Sequence, residues 1–301
     1  MSCEKAVRSV LALLVVLCAV VACGALDDDP GKRFPDPNSP AVRIADFTAG
    51  LAADQPYRPP DAAERAAAAR GFADAVSRTG PANPDLAGLG FTAVDLVDPE
   101  TGRPYTAIRS EPGTNRAWGL YLVDRSAPPS LAVEVPHPAF DLKTELVGLD
   151  LFRRTPGAVL MIAGAHRRAG GGRADVAHEV DSVFHVVAAD LVGRGLAQVQ
   201  VHGFDDGSAP GYDVVLSAGS GVAGDAATRV GEGFGRAGLA ICLAWEQVCA
   251  GLEGEKNVQG QLAKTAGTVF LHVELSRTVR DSADSRALVA KALADAKIAS
   301  P

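Results

Sequence analysis

From residue 131 onward, short apolar runs alternate with longer stretches of helical periodicity, and this alternation constrains the fold more than any other feature of the chain. The strand-like runs are LAVEV (131–135), AVLMIA (158–163), AQVQV (197–201), DVVLSA (213–218), LAICLA (239–244) and VFLHVEL (269–275). Between them lie helical stretches at 144–154 (TELVGLDLFRR), 180–194, 225–238 and 285–296. A chain that alternates in this way is expected to form an α/β layered domain, a mixed and largely parallel sheet flanked by helices. Ahead of it, 90–97, 104–110 and 117–123 read as strands, with the DPETGRP turn after the first, and form an antiparallel N-terminal extension. Residues 61–78, rich in alanine and charge, read as a helix with Asp61 near its start.

The N-terminus limits where the chain works. Lys5 and Arg8 precede an unbroken apolar run from Val10 to Ala22, which is shorter than the roughly 20 residues a spanning helix needs. A basic start, a short apolar core and small residues at its end define a secretory signal. Its end, Val20-Val21-Ala22-Cys23-Gly24, resembles a bacterial lipobox. That resemblance implies cleavage after residue 22, a lipid on Cys23, and anchorage to the outer face of the bacterial cytoplasmic membrane. Residues 23–40 are acidic and rich in Pro and Gly, and read as a flexible tether. Residues 41–301 then form a single domain, 41–130 as the extension and 131–301 as the core. Cys242 and Cys249 are the cysteines left in the exported part, and a disulfide between them is expected. The formal net charge is -7 with no basic stripe, which argues against a nucleic-acid partner.

All six histidines fall between 137 and 272. His137, His166 and His202 each follow a strand-like run, and Glu274 closes the last one. In α/β sheets ligands bind beyond the carboxyl ends of strands. Imidazoles and a carboxylate gathered there suit a divalent cation such as zinc, which takes three such ligands and leaves a position for water. Glu145 and Asp141 also have a local reading, as capping groups at the start of the 144–154 helix. A second group, His166, Arg167, Arg168, Asp175, His178, Asp181, Ser182 and His185, divides. His166 and Arg167 sit at a strand end and are candidates for substrate contact. The set from His178 to His185 falls on one face of an expected helix. His272 shares the face of Glu274 by strand alternation, either supporting the site or packed as a core histidine.

Three pieces in this order, His137 to Glu145, VQVHGF at 199–204 and HVELSRTVR at 272–280, resemble the poly-γ-glutamate hydrolases and, through them, the zinc carboxypeptidase and N-formylglutamate amidohydrolase clan. The resemblance covers about 131–300. It implies a zinc-carboxypeptidase-like fold, His137, Glu145 and His202 as zinc ligands, and Glu274 as general base. It implies Arg280 and Asn257 as contacts to a peptide or poly-glutamate-like substrate that carries a carboxylate beside the scissile amide. The clan spaces its first His and acid three apart; here they are eight apart, and Asp141 is the other candidate for the carboxylate ligand. The alternative reading is a non-catalytic envelope lipoprotein that binds a wall peptide or small ligand.

Overall fold

The structure is a computed structural model that describes residues 36–77 and 84–298. The expected signal segment, Cys23 and most of the tether lie outside the described residues. In chain order the helices are α1 (Pro40–Thr48), α2 (Ala62–Ser77), α3 (Pro84–Gly88), α4 (Thr144–Arg154), α5 (Val183–Gly193), α6 (Asp225–Arg236), α7 (Val258–Ala266), α8 (Arg277–Asp281) and α9 (Ala283–Asp295). The strands are β1 (Phe91–Val97), β2 (Pro104–Ser110), β3 (Leu120–Asp124), β4 (Leu131–Val135), β5 (Ala158–Ile162), β6 (Ala197–Gly203), β7 (Val214–Ser217), β8 (Ile241–Leu243) and β9 (Phe270–Leu275). Among the described residues no helix is long and apolar enough to cross a membrane.

The strands form one sheet in the order β1-β2-β3-β5-β4-β6-β9-β7-β8. Its centre, β5-β4-β6-β9, is parallel. The extension β1-β2-β3 continues the sheet antiparallel from β5, so residues 91–124 form its edge rather than a lid. On the other side β7 runs antiparallel to β9, which puts its C-terminal end beside the start of β9 (Ser217 opposite His272). The sheet is therefore mixed, and the rule about strand ends applies to β4, β6 and β9 but not to β7.

Strand alternation sorts two cores. Val133, Val135, Val199, Val201, Val273 and Leu275 face a layer containing α1, α4, α6 and α9. Ala132, Val159 and Met161 face α2 and α5. Each fully buried Val, Leu, Ile or Phe contributes about 1.5–3 kcal/mol relative to exposure, which is why continuous apolar strands need cover on both faces. Helix starts follow local chemistry. Asp61 and Glu64 form a reciprocal capping box on α2 (2.9 Å each way). Arg153 and Arg154 lie in the last turn of α4, where cations complement the helix dipole.

Three boundaries differ from expectation. The folded part begins before residue 41: Ile44 and Phe47 of α1 are fully buried, Tyr105 Oη donates to the Asn38 carbonyl at 2.6 Å, and Arg153 reaches Ser39. The α5 helix starts at Val183, with Ser182 as its N-cap accepting from the His185 amide. His178 and Asp181 precede that helix, so His178, Asp181, Ser182 and His185 share no helical face. The strand expected at 197–201 runs to Gly203, so His202 lies on β6 and not after it.

Candidate metal centre

The site grows from the C-terminal ends of β4, β6 and β9. After β4 the chain turns tightly: the amides of Phe140 and Asp141 both donate to the His137 carbonyl (3.0 and 2.8 Å). That turn brings Asp141 back beside His137. Register does the rest, because His202 on β6 pairs directly with Glu274 on β9. Asp141 Oδ2 lies 3.3 Å from His137 Nδ1 and 3.0 Å from His202 Nδ1. The two rings stand 4.8 Å apart, centroid to centroid, and all three residues are buried. Ligand atoms about 2.0–2.2 Å from a tetrahedral cation lie roughly 3.3–3.6 Å from one another. The Asp141 pairs are close to that edge length, so His137, Asp141 and His202 fit a divalent cation.

The far nitrogens of both rings are already engaged. His137 Nε2 meets Asp175 Oδ1 at 2.8 Å, and His202 Nε2 meets Gln200 Oε1 at 3.0 Å. A carboxylate behind a ligating imidazole fixes its orientation and raises its basicity. Arg167 holds Asp175 in turn, from Nε at 3.1 Å and Nη2 at 2.5 Å, and stacks over Phe140. Burial opposes charge on Asp141, but hydrogen bonds from His137 and His202 outweigh it and hold its pKa below the usual range. Burial also works against a charged His137, yet Asp141 and Asp175 keep its pKa above the ordinary value. His202 is pushed down, chiefly by burial.

His272 and Glu274 join from β9. Rings 202 and 272 are 4.7 Å apart, and His272 Nε2 is 3.9 Å from Glu274 Oε1. Glu274 Oε2 and His272 Nδ1 have no hydrogen-bond partner among the described residues. Burial, with the negative charge of Asp141 adding to it, lifts the Glu274 pKa well above the carboxylate range. These groups open into a cleft of about 410 Å³ whose wall is the segment 251–257. A Cys242–Cys249 disulfide anchors that wall, as expected from the cysteine count. Ser217 Oγ donates to the Glu253 carbonyl at 2.5 Å, and the Cys249 amide donates to Glu253 Oε1 at 2.6 Å. Gly254 sits directly on His272 with φ +64°; a Cβ there would lie 2.5 Å from His272 Cδ2.

Two expected residues are placed elsewhere. Glu145 is on the first turn of α4 and points away from the histidines, into a separate pocket with Ile44, Thr48 and Leu146. Burial raises its pKa, with hydrogen bonds from its own amide and that of Lys143 opposing. The helix carries it off, while the tight turn delivers Asp141 in its stead. Arg280 is also not available as a clamp. It is 3% exposed and donates to three backbone carbonyls, Leu275 at 3.1 Å, Leu142 at 2.6 Å and Phe204 at 2.8 Å. Gly203 receives this guanidinium: a Cβ there would lie 2.3 Å from Arg280 Nε.

Arg167 does line the cleft, as do His178 and Lys256. His166 stays at its outer margin, half-buried against Phe140. Asn257 lines it from below, its Nδ2 at 2.5 Å from Gln200 Oε1. Glu134, Gln200 and Gln259 were not singled out from sequence, though Glu134 and Gln200 interrupt otherwise apolar strands, which was the available signal. Burial pushes the Glu134 pKa up to about 8, against a lowering hydrogen bond from Gln200.

No protein-family model matches the chain, and no curated protein matches it. Solved structures that overlap include a bacteriophage poly-gamma-glutamate hydrolase, 15% identical with a TM-score of 0.41, covering 58% of this chain and 86% of that one. A metallo-carboxypeptidase from Burkholderia cenocepacia is 16% identical with a TM-score of 0.40, covering 80% and 70%. An aspartoacylase family protein from Mesorhizobium loti is 13% identical with a TM-score of 0.36, covering 68% and 67%. Overlaps of this size transfer neither a family nor an activity to this chain. The chemistry of the cluster has to carry any functional reading.

Proposed function

We propose that this chain is a metal-dependent amidohydrolase or peptidase. In this reading it is exported and held by a lipid on Cys23 at the outer face of the membrane. The observation that carries the proposal is the convergence of His137 Nδ1 and His202 Nδ1 on Asp141 Oδ2, with buried Glu274 one strand pairing away, its Oε2 without a hydrogen-bond partner among the described residues. A divalent cation, zinc being the chemical favourite for two imidazoles and a carboxylate, would supply Lewis acidity, polarising an amide carbonyl and easing deprotonation of the attacking water. His137, Asp141 and His202 would hold it.

Glu274, paired across the strands with His202, then takes the proton of the attacking water and returns it to the leaving amine. His272 lies against both His202 and Glu274 and limits where the carboxyl can move. Arg167 and Lys256 line the cleft beside Glu253 and Glu255, and a carboxylate flanking the amide, as in a γ-glutamyl bond, would pair with those two cations.

The test is metal analysis followed by turnover on γ-glutamyl and C-terminal peptide amides. About one zinc per chain is expected, lost in His137→Ala and His202→Ala. Glu274→Gln should keep the metal and lose hydrolysis. A chain that binds no zinc in excess, or that hydrolyses amides at full rate after chelation, overturns the proposal. The anchor has a separate test: Cys23→Ser should abolish lipid labelling and release the protein from membranes, since the acyl chains are the stable attachment.

A further inference from the structure

The three carbonyls that Arg280 holds all belong to segments that carry the cluster. Leu142 follows Asp141, Phe204 comes shortly after His202, and Leu275 follows Glu274. Nη1 donates to Leu142 at 2.6 Å, Nη2 to Phe204 at 2.8 Å and Nε to Leu275 at 3.1 Å. A guanidinium is planar and presents its donors in a fixed fork, so three acceptors held by one such group are fixed relative to one another. These acceptors come from distant parts of the chain: Arg280 is 138 residues from Leu142 and 76 from Phe204.

Local chemistry delivers the side chain. Ser276 follows β9 and caps α8, its Oγ accepting from the Val279 amide at 3.2 Å, and the Arg280 amide donates to the Ser276 carbonyl at 3.1 Å. That turn folds position 280 back over the Leu275 carbonyl, and Gly203, without a side chain, leaves it the space. The turn that bears Asp141 needs an outside hold. It leaves through Lys143, whose φ of 71° is left-handed, a conformation disfavoured for a non-glycine residue and kept where the surroundings impose it. Two groups reach this point. Lys143 Nζ pairs with Asp281 Oδ1 at 2.8 Å, but the two side chains are 40% and 43% exposed, and an exposed pair contributes little. Arg280 is 3% exposed and its bond to Leu142 is charge-assisted, so it is the stronger hold.

We propose that Arg280 is a positioning residue for the metal centre: its guanidinium ties together the ends of three segments and so sets the spacing of Asp141, His202 and Glu274. The inference rests on the metal reading above. Site residues have to be held within about 0.5 Å of their working geometry, so a ligand-bearing turn released at one end weakens the site even where the fold survives. Substrate contacts do not pass through Arg280, so its loss acts on cation affinity and on kcat and leaves KM nearly unchanged.

The experiment compares zinc affinity in Arg280→Met, Arg280→Lys and a control, Phe72→Leu, which thins the core under α2 and touches none of the cluster. Each is measured by chelator competition well below its own Tm. Cobalt loading adds a visible spectrum that reports ligand geometry without turnover. The expected result in Arg280→Met is a zinc dissociation constant raised about 10–100-fold, the usual cost of losing an outer support of a metal site, with an altered cobalt spectrum. Phe72→Leu should lower Tm and leave both readings at wild-type values. Arg280→Lys keeps the charge and lacks the fork, so it should not restore the affinity. Full restoration by lysine overturns the inference, because charge and not geometry then supports the site. An Arg280→Met protein that melts early yet binds zinc and cobalt as wild type does also overturns it, and Arg280 is then a strut alone. If the methionine variant does not fold, Arg280→Lys decides by the same readings. A wild-type chain that takes up no zinc defeats the metal reading and this inference together, whereas wild-type uptake unaltered in the variants defeats this inference alone.

Discussion

Replacing Arg280 by methionine separates a strut from a substrate clamp. Methionine keeps an unbranched stem and deletes the guanidinium. The residue is 3% exposed, so solvent does not discount its contacts. Three carbonyls, of Leu142, Phe204 and Leu275, lose a charged donor at 2.6–3.1 Å. A hydrogen bond to a charged group contributes about 1.5–3 kcal/mol, and a buried carbonyl left without a partner costs about 1–3 kcal/mol. The losses share one side chain and are not additive, and release from burying a cation offsets part of them, so a net destabilisation of about 3 kcal/mol is expected. For a domain of this size each kcal/mol shifts Tm by about 2–4 °C, which places the drop at roughly 6–12 °C. Thermal unfolding followed by circular dichroism reads it directly. Substrate KM, measured well below the lowered Tm, should change little. A Tm within about 2 °C of wild type, together with a KM raised tenfold or more for carboxylate-bearing substrates, would refute the reasoning and return Arg280 to the substrate.

Asp141→Asn should weaken zinc binding by at least tenfold, whereas Glu145→Gln should leave it unchanged; competition with a chromogenic chelator measures both, and equal losses would show that the first turn of α4 reaches the site. Hydrogen bonds from Arg58, both at 2.6 Å, lower the Glu64 pKa from 4.5 to about 2. Because that pKa is lower folded than unfolded, the stabilisation is present above about pH 4.5 and is lost as pH falls toward 2. Glu64→Gln should therefore flatten this limb of the stability–pH curve, and an unchanged acid limb would count against the pairing. Thiol titration of the unfolded, unreduced domain should find no free thiol at 242 or 249. Cys242→Ser with Cys249→Ser should cost about 2–3 kcal/mol for a loop this short and raise KM more than it lowers kcat, because the bridge anchors the wall at 251–257.

How much of this was legible in the chain depends on how local each interaction is. Strand and helix periods are local, so LAVEV matches β4 and residues 104–110 match β2 without any knowledge of their neighbours. The histidine and Glu274 positions at strand ends were equally legible, as was the pairing of two isolated cysteines. Ser182 as an N-cap was within reach too, but the helical spacing of His178, Asp181, Ser182 and His185 carried the expected helix past its true start at Val183. The choice between Asp141 and Glu145 was not legible. It turns on a single backbone turn, closed by the Asp141 amide on the His137 carbonyl, against a helix that starts three residues later.

The sequence by itself determined the elements, the layered α/β class and the stock of imidazoles and carboxylates, because these depend on contacts a few residues apart. Tertiary structure alone decided which of them meet. Asp175 reaches His137 from 38 residues away, and Glu134 reaches Gln200 from 66. Both meetings require the strand order β5-β4-β6-β9 and its register, and strand order is set by which faces can be buried together over the whole domain. Arg280 shows the same rule from the other side. Its chemistry suits a substrate carboxylate, but packing on Gly203 and three carbonyls uses it inside the fold before any substrate arrives.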